Sequence, residues 1–210
     1  MEKKVEALLK NLPKRNIPYL YCVSKDEAAR KILEMVPAGA SIGFSGSQTL
    51  EQLGVLKLLE ARGNKLFNPY QAGLSREESL KLRRQGAQEA DYYLASANAV
   101  AQSGELVFFS GFGNRTAGIA YAKNVIIVCG VNKIAPDLAE ALKRAREYAA
   151  PLNSKRLANW KTACLADGIC RSSICFYPQY QRMCGQVLVI EAEVTAGRLK
   201  LVIVGESLGY

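Results

Sequence analysis

The feature that most constrains the fold is a regular alternation of short apolar runs with helical segments. Residues 91–95, 106–109 and 125–129 are apolar runs bounded by Gly, Ser or Asn, a pattern typical of buried strands. Segments between and beyond them, such as residues 136–149, carry apolar side chains at helical spacing. Strands that alternate with helices predict an α/β fold with a mostly parallel sheet flanked by helices.

The two ends of the chain have patterns of their own. Residues 1–36 are predicted to form N-terminal helices, because Val5, Leu8 and Leu12 recur at helical spacing. Residues 187–192 and 199–204 are apolar runs joined across a Gly-containing turn, which predicts a closing C-terminal β-hairpin. Without an internal repeat or a low-complexity linker, residues 1–210 are expected to form one domain.

Composition narrows the class of protein and its partners. With 210 residues, 49% hydrophobic and 22% charged, the chain can build a full core. Its net charge of +9 favours an anionic partner, such as a phosphorylated metabolite or coenzyme A. The basic residues are spread along the chain without interleaved aromatic residues, so nucleic-acid binding is not expected. Lysines interrupt the N-terminal apolar pattern, so we expect a cytoplasmic protein with no signal peptide and no membrane span.

A first candidate ligand-binding loop consists of Gly46, Ser47, Gln48 and Thr49, between an apolar run and a helix. Small residues let backbone N–H groups approach an anion, and hydroxyl groups add donors. The loop has neither the Gly-Lys-Ser/Thr of a Walker loop nor a GxGxxG pattern. A capped turn at the start of a helix explains the same residues, so both interpretations remain open.

A second candidate loop contains Gly111, Gly113, Asn114 and Arg115 and also precedes a helix. Arg115 is a candidate for clamping a carboxylate or phosphate through two parallel N–H bonds. The alternative is a glycine turn with Asn114 as the helix cap and Arg115 in solvent. Ligands of such sheets bind beyond the carboxyl ends of the strands, so the two loops are expected to face one site. Glu105, beside a nearby turn, is a candidate nucleophile or base, or simply a solvated carboxylate.

Four cysteines, Cys164, Cys170, Cys175 and Cys184, lie within a cysteine-rich segment, residues 160–184, of a chain that has no histidine. Four thiolates can bind zinc or an iron–sulfur cluster if the intervening loops fold back. The alternative is four reduced cysteines, some of them buried as small apolar side chains. Disulfides are less expected in a reducing compartment.

Seven segments spread over the chain form a recognisable set. They are GSQTLE (46–51), ADYYL (90–94), NAVAQSGELV (98–107), GNR (113–115), VNKIAPDL (131–138), AAPLNSKRL (149–157) and VGESLGY (204–210). Together they resemble the lactate-utilisation (LUD) domain family nearly from end to end.

The resemblance implies a fold similar to ribose-5-phosphate isomerases, CoA transferases and the translation-factor 2B-like isomerases. In that superfamily, a loop like residues 46–49 holds a phosphate or a CoA-linked group, and a segment like residues 97–117 supplies the catalytic acid. The resemblance makes Asn98 the second candidate catalytic residue beside Glu105. It stands where the sugar-phosphate isomerases have Asp, however, and an amide cannot abstract a proton. Isomerase chemistry is therefore not expected, and whether the chain is an enzyme stays open.

The resemblance also implies a link to lactate or related organic-acid metabolism and to iron–sulfur protein subunits. Many similar chains carry Cys-x5-Cys-x2-Cys-x6-Cys in this region. Cys164 and Cys170 keep the first spacing, but Ser173 stands at the third cysteine, so four-thiolate, three-cysteine and empty sites all remain open. We expect an anionic metabolite to bind at the two loops. The alternative is an accessory iron–sulfur or zinc-binding subunit of an electron-transfer complex, and self-association is compatible with both.

Overall fold

The structure is a computed structural model that describes residues 2–210. The strands of this range are β1 (Tyr19–Cys22), β2 (Ile42–Phe44), β3 (Leu66–Phe67), β4 (Tyr92–Ser96), β5 (Ala99–Ala101), β6 (Leu106–Ser110), β7 (Val125–Gly130), β8 (Ile134–Ala135), β9 (Gln186–Ile190) and β10 (Leu199–Val204).

The helices are α1 (Lys3–Asn11), α2 (Lys25–Met35), α3 (Gln48–Leu53), α4 (Val55–Ala61), α5 (Arg76–Gln88), α6 (Asn114–Tyr121), α7 (Leu138–Arg144) and α8 (Ala150–Leu157). Single turns of 3₁₀-helix follow α1 and β7, and a π-helical turn, Ala145–Ala149, joins α7 to α8. None of the helices in the described range is long and apolar enough to cross a membrane.

The larger of two sheets confirms the predicted α/β fold. Its six strands run in the order β1-β10-β7-β4-β2-β3, and every neighbouring pair is parallel. All residues of β2 and β7 are buried, as expected for strands covered on both faces. Because all six strands are parallel, their carboxyl ends lie at the same edge of the sheet.

Side chains that alternate along the strands divide the core into layers. On one face of the large sheet, Val128 and Val202 pack with residues of α2, α3 and α4. On the other face, Ile127 and Leu201 pack with α1 and with Phe108 of the smaller sheet. The outer face of the smaller sheet packs against α7 and the start of α8.

The smaller sheet corrects the predicted hairpin. Both predicted C-terminal strands exist, but β9 pairs antiparallel with β6, whereas β10 lies between β1 and β7 in the large sheet. Burial explains the separation: almost all of β10 is buried, as a central strand requires, while β9 is a half-exposed edge strand. The N-terminal region also contains β1, a strand that the helical interpretation of residues 1–36 lacked.

Candidate ligand cleft

Two glycine-bearing loops, each between a strand and a helix, line one cleft. The first joins β2 to α3, and the second joins β6 to α6. The cleft has a volume of about 700 Å³, within the range of small-molecule sites. Gly46, Ser47, Gly111, Asn114 and Arg115 all line it. The structure therefore brings the two predicted loops together.

The first loop is shaped by a cap and a close approach. The helix begins at Gln48 because the hydroxyl of Ser47 accepts a hydrogen bond from the Leu50 amide at 3.1 Å. The amide of Gly46 donates to the Tyr70 hydroxyl at 2.6 Å, and a Cβ on Gly46 would lie 2.8 Å from that oxygen. A side chain at position 46 would therefore have to displace the Tyr70 ring.

Arg115 connects the two loops instead of projecting freely into the cleft. Its guanidinium donates to the Gly46 carbonyl at 2.6 Å, to the Ser45 hydroxyl at 3.2 Å and to the Phe109 carbonyl at 3.0 Å. A fourth, longer bond reaches Asn98 Oδ1 at 3.3 Å. An arginine has five N–H donors, so a bidentate clamp on a ligand would have to displace protein acceptors. Its positive charge nevertheless stays in the cleft.

Asn98 supports the loops through its side-chain oxygen. Asn98 Oδ1 accepts the Phe109 amide at 2.8 Å in addition to the Arg115 bond. The carbonyl of Asn98 accepts from Arg144 at 2.8 Å. The side chain of Asn98 thus joins the Phe109 amide to Arg115, which is consistent with a role in positioning the second loop.

Glu105 lies outside the cleft. It precedes β6, whose other end, Ser110, opens into the second loop; five residues at about 3.4 Å each put the two roughly 17 Å apart. Its carboxylate forms an ion pair with Arg15 and accepts from the Ser103 hydroxyl at 2.5 Å. This candidate nucleophile or base thus holds the β5–β6 turn against the 3₁₀ turn that follows α1.

The structure adds one residue that the sequence analysis did not assign to the site. Lys133, in the 3₁₀ turn after β7, is 3% exposed. Its ammonium nitrogen donates to Thr49 Oγ1 at 2.7 Å and to the Ala97 carbonyl at 3.2 Å. An ammonium has three N–H donors, and these contacts account for two of them. Lys133 forms no ion pair with any carboxylate of residues 2–210.

The environment of Lys133 opposes its charge. Burial is the main cause that lowers its pKa to about 8; the Cys129 thiol acts in the opposite direction, and the guanidinium groups of Arg144 and Arg115 lower it further. Burial also lowers the pKa of Arg115. Two cations therefore share one region, and neither forms an ion pair within residues 2–210.

A small cavity of about 20 Å³ lies beside Lys133, enough for a single water molecule. It shares Gly46, Ser47 and Arg115 with the cleft, and the predicted residues Gln48, Thr49 and Asn98 also line it. The cavity therefore connects the amine of Lys133 with the first loop.

The last residues of the chain cover this region. The Thr49 hydroxyl donates to the Leu208 carbonyl at 3.3 Å, and Asn132 Nδ2 donates to the Gly209 carbonyl at 3.2 Å. The hydroxyl of Tyr210, which lines the small cavity, accepts from Arg156 at 2.8 Å. The 208–210 segment thus packs over Thr49 and Lys133.

The four cysteines of residues 160–184 do not converge on one point. Cys164 Sγ lies 3.4 Å from Thr162 Oγ1, and Cys175 donates to the Gln181 carbonyl at 3.6 Å. Cys184 packs against the core behind the smaller sheet, and Cys170 is partly exposed. Across residues 2–210, no three His, Cys, Asp or Glu side chains are close enough together to hold a metal ion. This conformation does not fit a thiolate-bound metal, so the cysteine site stays a prediction that requires the segment to rearrange.

Comparison with known proteins decides the family. The sequence profile of the LUD domain matches residues 5–204. The chain belongs to the LUD domain family. No curated protein matches the sequence. A DUF162 family protein from Deinococcus radiodurans has a similar structure, with a TM-score of 0.54 and 14% identity over 97% of both chains. At that identity, the likeness of the LUD chain to it is one of fold.

Other solved structures align with only part of this LUD-family chain. eIF2B beta from Chaetomium thermophilum is 23% identical over 54% of this chain and 43% of its own, with a TM-score of 0.39. Ribose 5 phosphate isomerase A from Neisseria gonorrhoeae is 17% identical over 56% of this chain and 57% of its own, with a TM-score of 0.34.

Proposed function

We propose that this LUD-family protein binds an anionic metabolite of lactate or related organic-acid utilisation in the cleft. The anionic group of the ligand is directed towards Lys133 and Arg115. The observation that carries this proposal is the nearly complete burial of Lys133 without a carboxylate partner.

An unpaired buried charge makes an anionic ligand favourable. Removing an ammonium group from water is costly unless a counter-charge and hydrogen bonds replace the lost hydration. Two neutral oxygen acceptors, on Thr49 and Ala97, provide hydrogen bonds but no counter-charge. A carboxylate or phosphate oxygen at the third N–H of Lys133 would provide both.

The other ionisable residues of the cleft carry a net positive charge. Its acidic lining residues are Glu51 and Glu60. Its basic lining residues, with Lys133 of the adjoining cavity, are Lys57, Arg83, Arg115, Arg156 and Lys133. An excess of cations in a concave site attracts anions and raises their local concentration.

Binding is tested by calorimetric titration with L-lactate, inorganic phosphate and coenzyme A. We expect at least one of them to bind, and the Lys133→Gln variant to bind it at least tenfold more weakly. The matched control is Lys143→Gln, which removes the same charge from a side chain that is 59% exposed. If none of the three binds, or if both variants bind as the unsubstituted protein does, the proposal is wrong.

A further inference from the structure

Four aromatic rings line the cleft in two packed pairs. Phe44 and Tyr70 pack with their ring centroids 5.9 Å apart, and Phe112 and Trp160 pack at 4.8 Å. All four residues line the cleft. Tyr70 is nevertheless 47% exposed and Phe112 58% exposed. Exposed apolar rings grouped on a concave surface are typical of a binding site rather than of an ordinary protein surface.

Arg83 lies between the two aromatic pairs. The centre of its guanidinium is 4.8 Å from the Tyr70 ring and 6.0 Å from the Phe112 ring. It forms no ion pair with a carboxylate anywhere in the described chain. Phe44, Tyr70, Arg83, Phe112 and Trp160 thus form an aromatic strip of planar groups.

The aromatic strip is continuous with the first loop. The Tyr70 hydroxyl accepts the Gly46 amide at 2.6 Å and an N–H of Arg83 at 3.2 Å. A ligand that extends from the strip to the loop therefore contacts one surface, because hydrogen bonds hold Arg83, Tyr70 and Gly46 together. The volume of about 700 Å³ is far larger than a simple carboxylate or phosphate needs, and it suits a ligand that also carries a ring.

We propose that the aromatic strip is a subsite for a planar heteroaromatic ring, so that the cleft takes a nucleotide-like anion. This inference rests on the proposed function, because the phosphate of such a ligand is directed to the Lys133 end. Every base has a π-face that can stack on aromatic rings and on a guanidinium plane. The strip provides both kinds of surface, and the loop end of the cleft provides the cations.

The test compares ADP with inorganic phosphate and adenosine. Trp160 is the only tryptophan of the chain, so its emission reports on the strip directly. We expect ADP to bind at least tenfold more tightly than phosphate and to quench Trp160. Phe112→Ala should reduce ADP affinity at least tenfold and leave phosphate affinity unchanged. Tyr121→Ala removes an 87% exposed ring at the end of α6 and should change neither.

Three outcomes would contradict the proposal that the aromatic strip binds a heteroaromatic ring. They are ADP affinity no higher than phosphate affinity, an unchanged Trp160 emission, and equal losses of ADP and phosphate affinity in Phe112→Ala. Anion binding through Lys133 could survive each of them, so the proposed function is judged separately by its own titration. The quenching measurement on the unsubstituted protein decides the question even if Phe112→Ala does not fold.

Discussion

The ammonium nitrogen of Lys133 lies 2.7 Å from the hydroxyl oxygen of Thr49, a residue 84 positions earlier in the chain. The fold creates this contact, because Lys133 follows β7 and Thr49 is in the first turn of the helix after β2. Carboxyl ends of parallel strands meet at one edge of a sheet. The contact places an uncompensated cation directly beneath the first loop of the cleft.

Stability should depend on pH through Lys133. Its pKa is about 8 in the folded protein, against 10.5 as the ordinary value. Between these values, the unfolded chain holds a proton that the folded chain has released, so the free energy of unfolding rises with pH. The destabilisation caused by burying the charged ammonium group is fully present below about pH 8 and disappears as the pH approaches 10.5. At 1.36 kcal/mol per pKa unit, the relief between pH 7 and pH 10 is about 2–3 kcal/mol.

The measurement is urea unfolding of the unsubstituted protein and of Lys133→Met at pH 7 and pH 10. The unsubstituted protein should gain about 2–3 kcal/mol relative to the variant across this range. Lys143→Met, at a 59% exposed lysine, should show no such relative gain. A difference between protein and Lys133→Met that does not change with pH would mean that Lys133 titrates normally.

Gly43 allows the strand before the first loop to pack closely against α5. A Cβ on Gly43 would lie 1.8 Å from the carbonyl oxygen of Gly86, a backbone atom that cannot simply rotate away. We expect Gly43→Ala to reduce the free energy of unfolding by about 3 kcal/mol or more. The comparison is Gly63→Ala. A Cβ at position 63 would meet no neighbour, but the φ of 90° disfavours a side chain, so this substitution should reduce the free energy of unfolding by only about 1–2 kcal/mol. Equal losses in denaturant unfolding would contradict the close approach.

Glu105 should matter for stability and not for ligand binding. Glu105→Gln removes the negative partner of Arg15, and both side chains are mostly buried. We expect a loss of about 2 kcal/mol in unfolding free energy, with ligand affinity unchanged. Glu34→Gln breaks an exposed pair with Lys31 and should cost less than about 1 kcal/mol. A large loss of affinity in Glu105→Gln would restore its predicted catalytic or binding role.

Local patterns predicted much of the fold. The buried apolar runs predicted at residues 91–95, 106–109 and 125–129 are present as β4, β6 and β7. The partners of the C-terminal strands could not be predicted from local pattern, since an apolar run looks the same beside β6 as beside β7. The strand β1 was missed because only one of its four residues, Cys22, is buried.

The two loops of the site could be predicted from the sequence, but the burial and the hydrogen bonds of its charged side chains could not. Glycines at strand–helix junctions indicated both walls of the cleft, because only small residues permit such close approaches. Lys133 lies in the VNKIAPDL segment, but a lysine in sequence gives no sign that it will be buried without a partner. Likewise, Arg115 gave no indication that its donors are used by Gly46 and Phe109.

The predicted cysteine site requires a structural change that Trp160 can report. If Cys164, Cys170, Cys175 and Cys184 bind one metal ion or cluster, residues 160–184 must rearrange to bring the four thiols together. Trp160, which packs on Phe112, stands at the start of this segment. If the four thiols do form such a site, anaerobically purified protein should contain stoichiometric iron or zinc, and its Trp160 emission should shift after chelation. The double substitution of Cys164 and Cys170 by Ser should abolish both. Protein without metal, whose emission does not respond to added zinc or iron, would contradict the prediction.

The most direct test of anion binding at Lys133 is the number of protons that the protein takes up when it binds sulfate. Calorimetric titration at pH 8.5 in two buffers of different ionisation enthalpy measures this number. Sulfate does not titrate in this range, and an anion beside Lys133 should raise the pKa of the lysine. From a pKa of about 8, we expect uptake of about 0.7 of a proton per bound sulfate, and none in Lys133→Gln. Sulfate binding without proton uptake, or no binding at all, would contradict the account.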